Sequence, residues 1–324
     1  MIKLYLVFVL FKNIIYLIKM NILRVGTDCS GIEAPIQALM QLNIPFKHVF
    51  CSDIDKFVIQ SIKANYKPEI IFGDKDGLFK DGDITKRNID DVPDIDLYIA
   101  GFPCQPFSSA GDRRGLNDPR GTVFYSCLKV IETKQPKYFI LENVKGLMTH
   151  DKGNTWNIMW TLLKELERFG YIVKWKILNT KDYGIPQNRE RIYIVGCKDK
   201  EFEWPEKKEM NDLKNYINYS IIGNHIIPKY IDMHLKIVKK NSIFIDSSHP
   251  KDKYPNSQFY CSTITTRNRL WCIPTKRQML ITECLKLQGF ENFIQNVSNT
   301  QLYKQLGNSM SVNVLKCLLE NILD

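Results

Sequence analysis

Eight residues, Gly101-Phe102-Pro103-Cys104-Gln105-Pro106-Phe107-Ser108, constrain this chain more than any other stretch. They set a cysteine in a proline-framed turn directly after an apolar run, Leu97-Tyr98-Ile99-Ala100. A short apolar run bounded by turn signals predicts a parallel strand buried on both faces. The carboxyl end of such a strand is where open α/β sheets hold their ligands. Pro103 and Pro106 restrict the backbone on either side of the thiol. Cys104 therefore reads as a positioned nucleophile. An isolated cysteine is more often a small buried apolar residue. The flanking prolines and the segments that follow favour the nucleophile.

A second apolar run, Tyr138-Phe139-Ile140-Leu141, ends in Glu142-Asn143-Val144. If the two strands are neighbours, Cys104 and Glu142 face one crevice. The separation between them accommodates a loop and one crossover helix. A thiolate with a nearby carboxyl group suits covalent addition to an electron-poor ring, the acid stabilising charge on a ring nitrogen. The alternative is a glutamate that merely caps a following helix. Further on, Gln187-Asn188-Arg189-Glu190-Arg191 runs into Ile192-Tyr193-Ile194-Val195-Gly196. Strand period places Arg189 and Arg191 on one face, an arrangement suited to a phosphate or a base carbonyl. A solvated strand entry is the plainer reading.

Near the N-terminus, the strand Ile22-Leu23-Arg24-Val25-Gly26 leads into Thr27-Asp28-Cys29-Ser30-Gly31-Ile32-Glu33-Ala34-Pro35 and a helix. Strand, glycine turn and helix N-terminus make the nucleotide-binding unit of Rossmann-like sheets. A second strand, 48–51, ends in Ser52-Asp53-Ile54-Asp55, and an acid there suits a ribose.

Taken in order, these segments resemble the DNA cytosine-5 methyltransferase family over nearly everything from Asn21 to the C-terminus. Asp118-Pro119-Arg120-Gly121-Thr122, Tyr183-Gly184-Ile185-Pro186, Leu287-Gln288-Gly289-Phe290 and Gly307-Asn308-Ser309 extend the match. The resemblance implies an α/β fold: a Rossmann-like S-adenosylmethionine-dependent domain, its mostly parallel sheet flanked by helices, with a small, irregular target-recognition domain. It implies methyl transfer to carbon 5 of a cytosine flipped out of double-stranded DNA. Cys104 would attack ring carbon 6, Glu142 would meet ring nitrogen 3, Arg191 would hold the base and Arg189 would order the site. S-adenosylmethionine would lie against Cys29, Gly31, Ile32, Asp53, Ile54, Asp83, Ile84, Gly101, Pro103, Asn308 and Ser309. Asp53 is preferred to Asp55 for the ribose and Asp83 to Asp74 for the adenine. The segment 108–120 would close over DNA, bringing Ser108, Arg113, Arg114 and Arg120 to it. Arg267 and Arg269, in Thr263-Ile264-Thr265-Thr266-Arg267-Asn268-Arg269, would reach phosphate or a guanine edge, the alternative being a basic surface turn. The first loop departs from the family pattern: Thr27 stands for an aspartate, Cys29 for a phenylalanine and Glu33 for a common glycine. Cys29 offers less area than an aromatic ring for stacking on adenine. Two alternatives stand beside this reading. One is the related branch acting on tRNA, whose Pro-Pro-Cys core is Phe102-Pro103-Cys104 here. The other is a degenerate homologue that binds DNA without methylating it.

Composition bounds the rest. A formal net charge of +10 favours a polyanionic partner. Nine cysteines without a Cys-x-x-Cys pair or a zinc-spaced histidine cluster predict no metal, and a reactive thiol among free ones predicts a reducing, intracellular compartment. Apolar pieces between Met1 and Lys19 are split by Lys12 and Asn13 and fall short of the roughly 20 residues of a membrane span. We expect 1–19 to be an extension ahead of a true start at Met20, 20–200 with 300–324 to form the catalytic domain, and 201–299 the recognition domain. A monomer is expected. Helical periodicity over 155–170 predicts a buried face of Ile158, Met159, Leu162, Leu163, Leu166 and Phe169. A C-terminal helix over 312–322 should pack back on the sheet.

Overall fold

The computed structural model describes residues 22–29, 31–103, 123–198, 200–223, 231–232, 235, 242–246, 259–267 and 269–323. Its centre is a seven-stranded sheet ordered β3-β2-β1-β4-β5-β8-β6. The strands are β1 (Leu23–Asp28), β2 (Phe46–Ser52), β3 (Ile70–Phe72), β4 (Leu97–Ala100), β5 (Tyr138–Val144), β6 (Tyr171–Asn179) and β8 (Glu190–Lys198), with a short β7 (Gln187–Asn188) preceding β8. Only β8 runs against the others, pairing antiparallel with both β5 and β6. The sheet is thus mostly parallel, as expected.

Every residue of β4 is buried, which is what an apolar run with no polar alternation demands. Ile99, Ile140 and Tyr193 face one core cluster, whereas Tyr98, Ala100, Phe139 and Leu141 face the other. Two layers of helix supply the cover. On one side α1 (Ala34–Gln41) lies against the C-terminal helix, which spans Val312–Leu323 and returns to the sheet as expected. On the other side α3 (Val123–Lys134) makes the crossover between β4 and β5, burying Phe124, Cys127, Leu128, Val130 and Ile131 at helical spacing. Helix α2 (Lys56–Asn65) starts at Asp55, whose side chain accepts from Phe57 N at 2.9 Å.

The periodic stretch after β5 differs in detail from its sequence pattern. Helix α4 (Asn154–Lys164) passes into a tighter 3₁₀ turn, Glu165–Phe169, which ends at Gly170 with φ of 83°. Met159, Leu163 and Leu166 are buried, but Ile158 is 47% exposed, and Trp156 takes the inward place. The change of helical pitch rotates the face, so one regular stripe does not describe both turns.

The chain adds β2 and β3 on one side of β1, then crosses to β4 and β5 on the other. Between β1 and β4 lies the topological switch point of the sheet. In register, Asp28 lies beside Ser52 and Ala100, and Ala100 beside Leu141. Four strand ends therefore open onto one edge.

Past residue 200 the elements are short. β9 (Phe244–Asp246), β11 (Leu270–Cys272) and β12 (Arg277–Gln278) form a small antiparallel sheet. β10 (Cys261–Ser262) pairs in parallel with β7. Helices α5 (Ile281–Gln288) and α6 (Asn299–Asn308) precede the C-terminal helix, α7. Phe202, Leu213, Ile264 and Leu285 join the same core cluster as Val25 and Ile99, so this region is built onto the core of the sheet. No helix among the described residues is long and apolar enough to cross a membrane.

Candidate active site

A cleft of about 720 Å³ opens at the switch point. Its cofactor-side lining includes Cys29, Gly31, Asp53, Ile54, Asp83 and Ile84, and its far side Gly101, Pro103, Glu142, Arg189, Arg191 and Asn308. The sequence had assigned these residues to one site, and the fold brings them together.

On the cofactor side, Asp53 follows directly after β2. Its carboxylate accepts from Gly31 N at 3.1 Å and from Asp55 N at 2.8 Å. Burial pushes the Asp53 carboxyl up, and those two N–H groups oppose the shift. Asp55 is committed elsewhere, capping α2 and pairing with Lys304 at 2.8 Å. Ile54 between them is 80% exposed, an unusual state for an isoleucine, and it lines the cleft. Asp83 caps its own turn through Thr85 and pairs with Lys86 at 3.1 Å. Gly31 has φ of +54°, and a Cβ there would meet no atom within 4 Å. Carboxylates at two points, an exposed aliphatic face and open space over a glycine turn fit a nucleoside whose hydroxyls and amino group donate and whose ring needs apolar contact. S-adenosylmethionine is such a molecule.

Two expected cofactor residues turn away. Ile32 is 1% exposed, with its side chain in the core, and only its carbonyl engages Tyr66 Oη at 3.3 Å. Ser309 is buried outside the cleft lining, its hydroxyl donating to Met310 O. The unusual first-loop residues have a local explanation. Thr27 Oγ1 donates to Glu33 Oε1 at 2.8 Å, both fully buried, so these two departures from the family pattern are partners. Glu33 sits at φ of 57°, the left-handed region that a glycine would occupy without strain. With His48 and Cys51 it forms a buried group whose donor atoms lie within 4.8 Å of one another.

On the far side, Glu142 and Arg191 are diagonal neighbours on one face of the antiparallel β5–β8 pair, since Glu142 lies opposite Tyr193 and Arg191 opposite Val144. Arg191 Nε stands 3.2 Å from Glu142 Oε1, without hydrogen-bond alignment. Burial raises the Glu142 carboxyl above its usual range, while Arg191 and then Arg189 oppose the rise. Asn143 Nδ2 donates to Phe102 O at 2.8 Å, fixing the chain two residues before Cys104. A Cβ on Gly101 would come 3.9 Å from Glu142 Oε2, so the turn runs directly past the acid. Cys104, Ser108, Arg113, Arg114 and Arg120 lie outside the described residues.

The two arginines both reach the cleft lining but are committed to different partners. Arg189 falls between β7 and β8 and is 1% exposed. It donates to Ile264 O and Gly307 O at 3.0 Å each, and to Ser309 O. Burial, reinforced by Arg191, brings its guanidinium down to about 9. Arg189 thus ties the segment before Arg267 and Arg269 to the C-terminal turn. Arg267 and Arg269 themselves border a small hollow with Asp246, Thr263 and Tyr303. Sequence reasoning missed Asp28 and Arg87, a buried ion pair beneath the cleft. The only available signal was an acid at a strand end; its partner lies 59 residues on.

A family model described as C-5 cytosine-specific DNA methylase matches residues 27–324. Type II methyltransferase M1.ScrFI of Lactococcus lactis subsp. cremoris is 38% identical over 303 residues, spanning 86% of this chain and 72% of that protein. M.HaeII of Haemophilus aegyptius is 36% identical over 291 residues, 86% of each chain. Among solved structures, the S. pombe Dnmt2 methyltransferase superposes with a TM-score of 0.66 at 21% identity, covering 93% of this chain and 98% of its own. A putative DNA modification methyltransferase from an E. coli prophage gives 0.65 at 19%, covering 93% and 99%. At these identities the solved structures establish the fold. Fold and cleft together define a Rossmann-like α/β domain with a ligand cleft at its switch point. The chain belongs to the C-5 cytosine-specific DNA methylase family: it is a DNA cytosine-5 methyltransferase that takes its methyl group from S-adenosylmethionine.

Proposed function

We propose that this enzyme methylates a cytosine flipped out of double-stranded DNA, with Cys104 as nucleophile and Glu142 as the acid at ring nitrogen 3. The observation that carries the reading is Glu142: a buried carboxyl with raised proton affinity, beside Arg191 and next to the 101–103 turn. The Cys104 thiolate adds to carbon 6 of the ring. The displaced electron pair moves through carbon 4 to nitrogen 3, which takes the proton of Glu142. Carbon 5 is then an enamine carbon, and S-adenosylmethionine, when bound, supplies the methyl group it takes. Glu142 recovers its proton, a base removes the proton from carbon 5, and that electron pair re-forms the double bond as the thiolate leaves. Arg191 orients the base beside Glu142, and Arg189 is a positioning residue acting through the carbonyls it holds. In this reading Asp53 takes the ribose, Asp83 the adenine amino group, and Ile54, Ile84, Cys29, Gly31, Gly101, Pro103 and Asn308 the remainder of the cofactor. Ser108, Arg113, Arg114, Arg120, Arg267 and Arg269 contact DNA.

Further proposals concern the setting. The relatives named type II methyltransferases support a restriction-modification role. The division into a catalytic region of 20–200 with 300–324 and a recognition region of 201–299 stays our reading, as does a monomer acting inside the cell. Every cysteine among the described residues is a free thiol, which supports a reducing compartment. The tRNA alternative gains no support from relatives named as type II methyltransferases.

The test is trapping on a duplex library carrying 5-fluorocytosine, with S-adenosylmethionine present. Fluorine blocks removal of the carbon 5 substituent, so the enzyme should remain attached, and sequencing the captured DNA reads its target. An adduct that persists in Cys104→Ser, or none in the wild type while DNA is bound, overturns the reading.

A further inference from the structure

Beneath the cofactor cleft lies a second set of polar groups, of which only Ser52 reaches the cleft lining. Asp28, at the end of β1, is 0% exposed and accepts four bonds. Arg87 supplies two as a fork, Nη1 to Oδ1 and Nη2 to Oδ2, each 2.7 Å. Tyr98 Oη donates to Oδ2 at 2.7 Å, and Ser52 Oγ to Oδ1. The Arg87 side chain is 4% exposed, with its guanidinium 4.6 Å from the Phe72 ring centroid and 5.3 Å from that of Phe50.

A buried ion pair is weak evidence for stability, because apolar groups of similar volume often serve as well or better. What this one joins is more informative. Each of its four segments runs at once into a residue lining the cleft. Asp28 precedes Cys29. Ser52 precedes Asp53. Arg87 closes the segment that carries Asp83, Ile84 and Thr85. Tyr98 lies on β4, which leads to Gly101. The 82–88 segment has neither helix nor strand to hold it, so its buried arginine is its anchor to the sheet.

We infer that the Asp28–Arg87 pair is a positioning device for the cofactor, setting the Asp53 and Asp83 walls at the separation S-adenosylmethionine requires. The inference rests on the cleft being the cofactor site. It predicts a specific kinetic pattern, because the pair touches neither the DNA nor the reacting atoms.

The experiment compares wild type, Asp53→Ala, the charge-free double variant Asp28→Asn/Arg87→Met, and Arg87→Lys. Cofactor affinity is read by calorimetry, and KM and kcat for both substrates by methyl transfer. Methionine approximates the length of arginine and suits the space between two phenyl rings, so the double variant should fold. Its Kd and KM for S-adenosylmethionine should rise by about tenfold to 10²-fold, as small misplacements do, with kcat at saturating cofactor and KM for DNA nearly unchanged. Arg87→Lys keeps the charge but loses the fork, and should show a smaller rise in the same constant. That variant also decides the matter if the double variant fails to fold. A folded variant of either kind with wild-type cofactor affinity overturns the inference, as does a loss confined to kcat. If wild type itself fails to bind S-adenosylmethionine, or Asp53→Ala binds it normally, the reading of the cleft falls instead.

Discussion

Two of the carboxylates buried next to arginines, Asp28 and Glu142, differ in how completely they are satisfied. Asp28, on the cofactor side, receives four hydrogen bonds, including both arms of Arg87. Glu142, on the catalytic side, has Arg191 at 3.2 Å but no hydrogen bond to that oxygen. A fully bonded acid holds its neighbours in place and has no capacity left for chemistry. A buried acid left short of partners has raised proton affinity and a free bonding direction, which is what an incoming ring nitrogen needs. Burial alone therefore does not mark a catalytic carboxylate in this protein; incomplete bonding at the cleft wall does.

The largest effect should come at the nucleophile. Cys104→Ser should reduce methyl transfer to background while cofactor binding by calorimetry is retained, because a serine hydroxyl is far less ionised than a thiol. Turnover near wild type would remove Cys104 from the mechanism and leave Glu142 without a partner reaction. Next comes Glu142→Gln, which cannot donate a proton and should lower kcat by about 10²-fold or more. An unchanged kcat would erase the contrast between the two acids. The same variant sharpens it through pH. Glu142 has its folded value raised, so the stability it contributes is complete below its unfolded value and is lost as pH rises toward the folded one. Glutamine does not titrate. The melting temperature of Glu142→Gln relative to wild type should therefore climb as pH rises above the unfolded carboxyl's value of 4.5. A flat difference would mean that the wild-type carboxyl is not raised.

Arg189 tests whether the catalytic side also contains a purely positioning group. It is 1% exposed and donates to three carbonyls from two distant segments. Arg189→Met should cost about 3 kcal/mol or more in urea unfolding, since buried carbonyls lose charged donors. A loss below about 1 kcal/mol would show that the clamp is dispensable.

How much of this was readable in advance follows from which signals are local. The sheet was legible because Leu97-Tyr98-Ile99-Ala100 and Tyr138-Phe139-Ile140-Leu141 are apolar without alternation, and both-faced burial leaves no other arrangement. Asp53 and the 101–103 turn follow the ends of β2 and β4, and Glu142 lies on β5 one residue past Leu141, the partner of Ala100, so parallel register brings them together. The side chains of Ile32 and Ser309 turn away from the cleft beside Gly31 and Asn308, because a turn's position in sequence does not resolve which way successive side chains point. Arg189 and Arg191 reach one cleft lining, but the carbonyls that hold Arg189 lie at least 75 residues away, where no local period reports them. Asp28 left only the signal of an acid at a strand end, and its pairing with Arg87 left none, because an ion pair across 59 residues has no period and only the folded sheet brings it together.

The smallest predicted effect isolates the cofactor wall from the hub beneath it. Ile54 is 80% exposed, so Ile54→Ala removes almost no buried surface from the folded protein and should leave unfolding unchanged. Its side chain lines the cleft beside Asp53, where a bound ring would cover it. Losing that coverage should weaken S-adenosylmethionine by about tenfold, the equivalent of burying a few methylenes. The Asp28–Arg87 variants should weaken the same ligand by moving the walls, whereas this one removes a contact and moves nothing. Combining Ile54→Ala with Arg87→Lys therefore separates the two: independent losses multiply, and coupled ones do not. Wild-type affinity in Ile54→Ala would place the ring elsewhere in the cleft and leave the exposed isoleucine facing DNA or solvent.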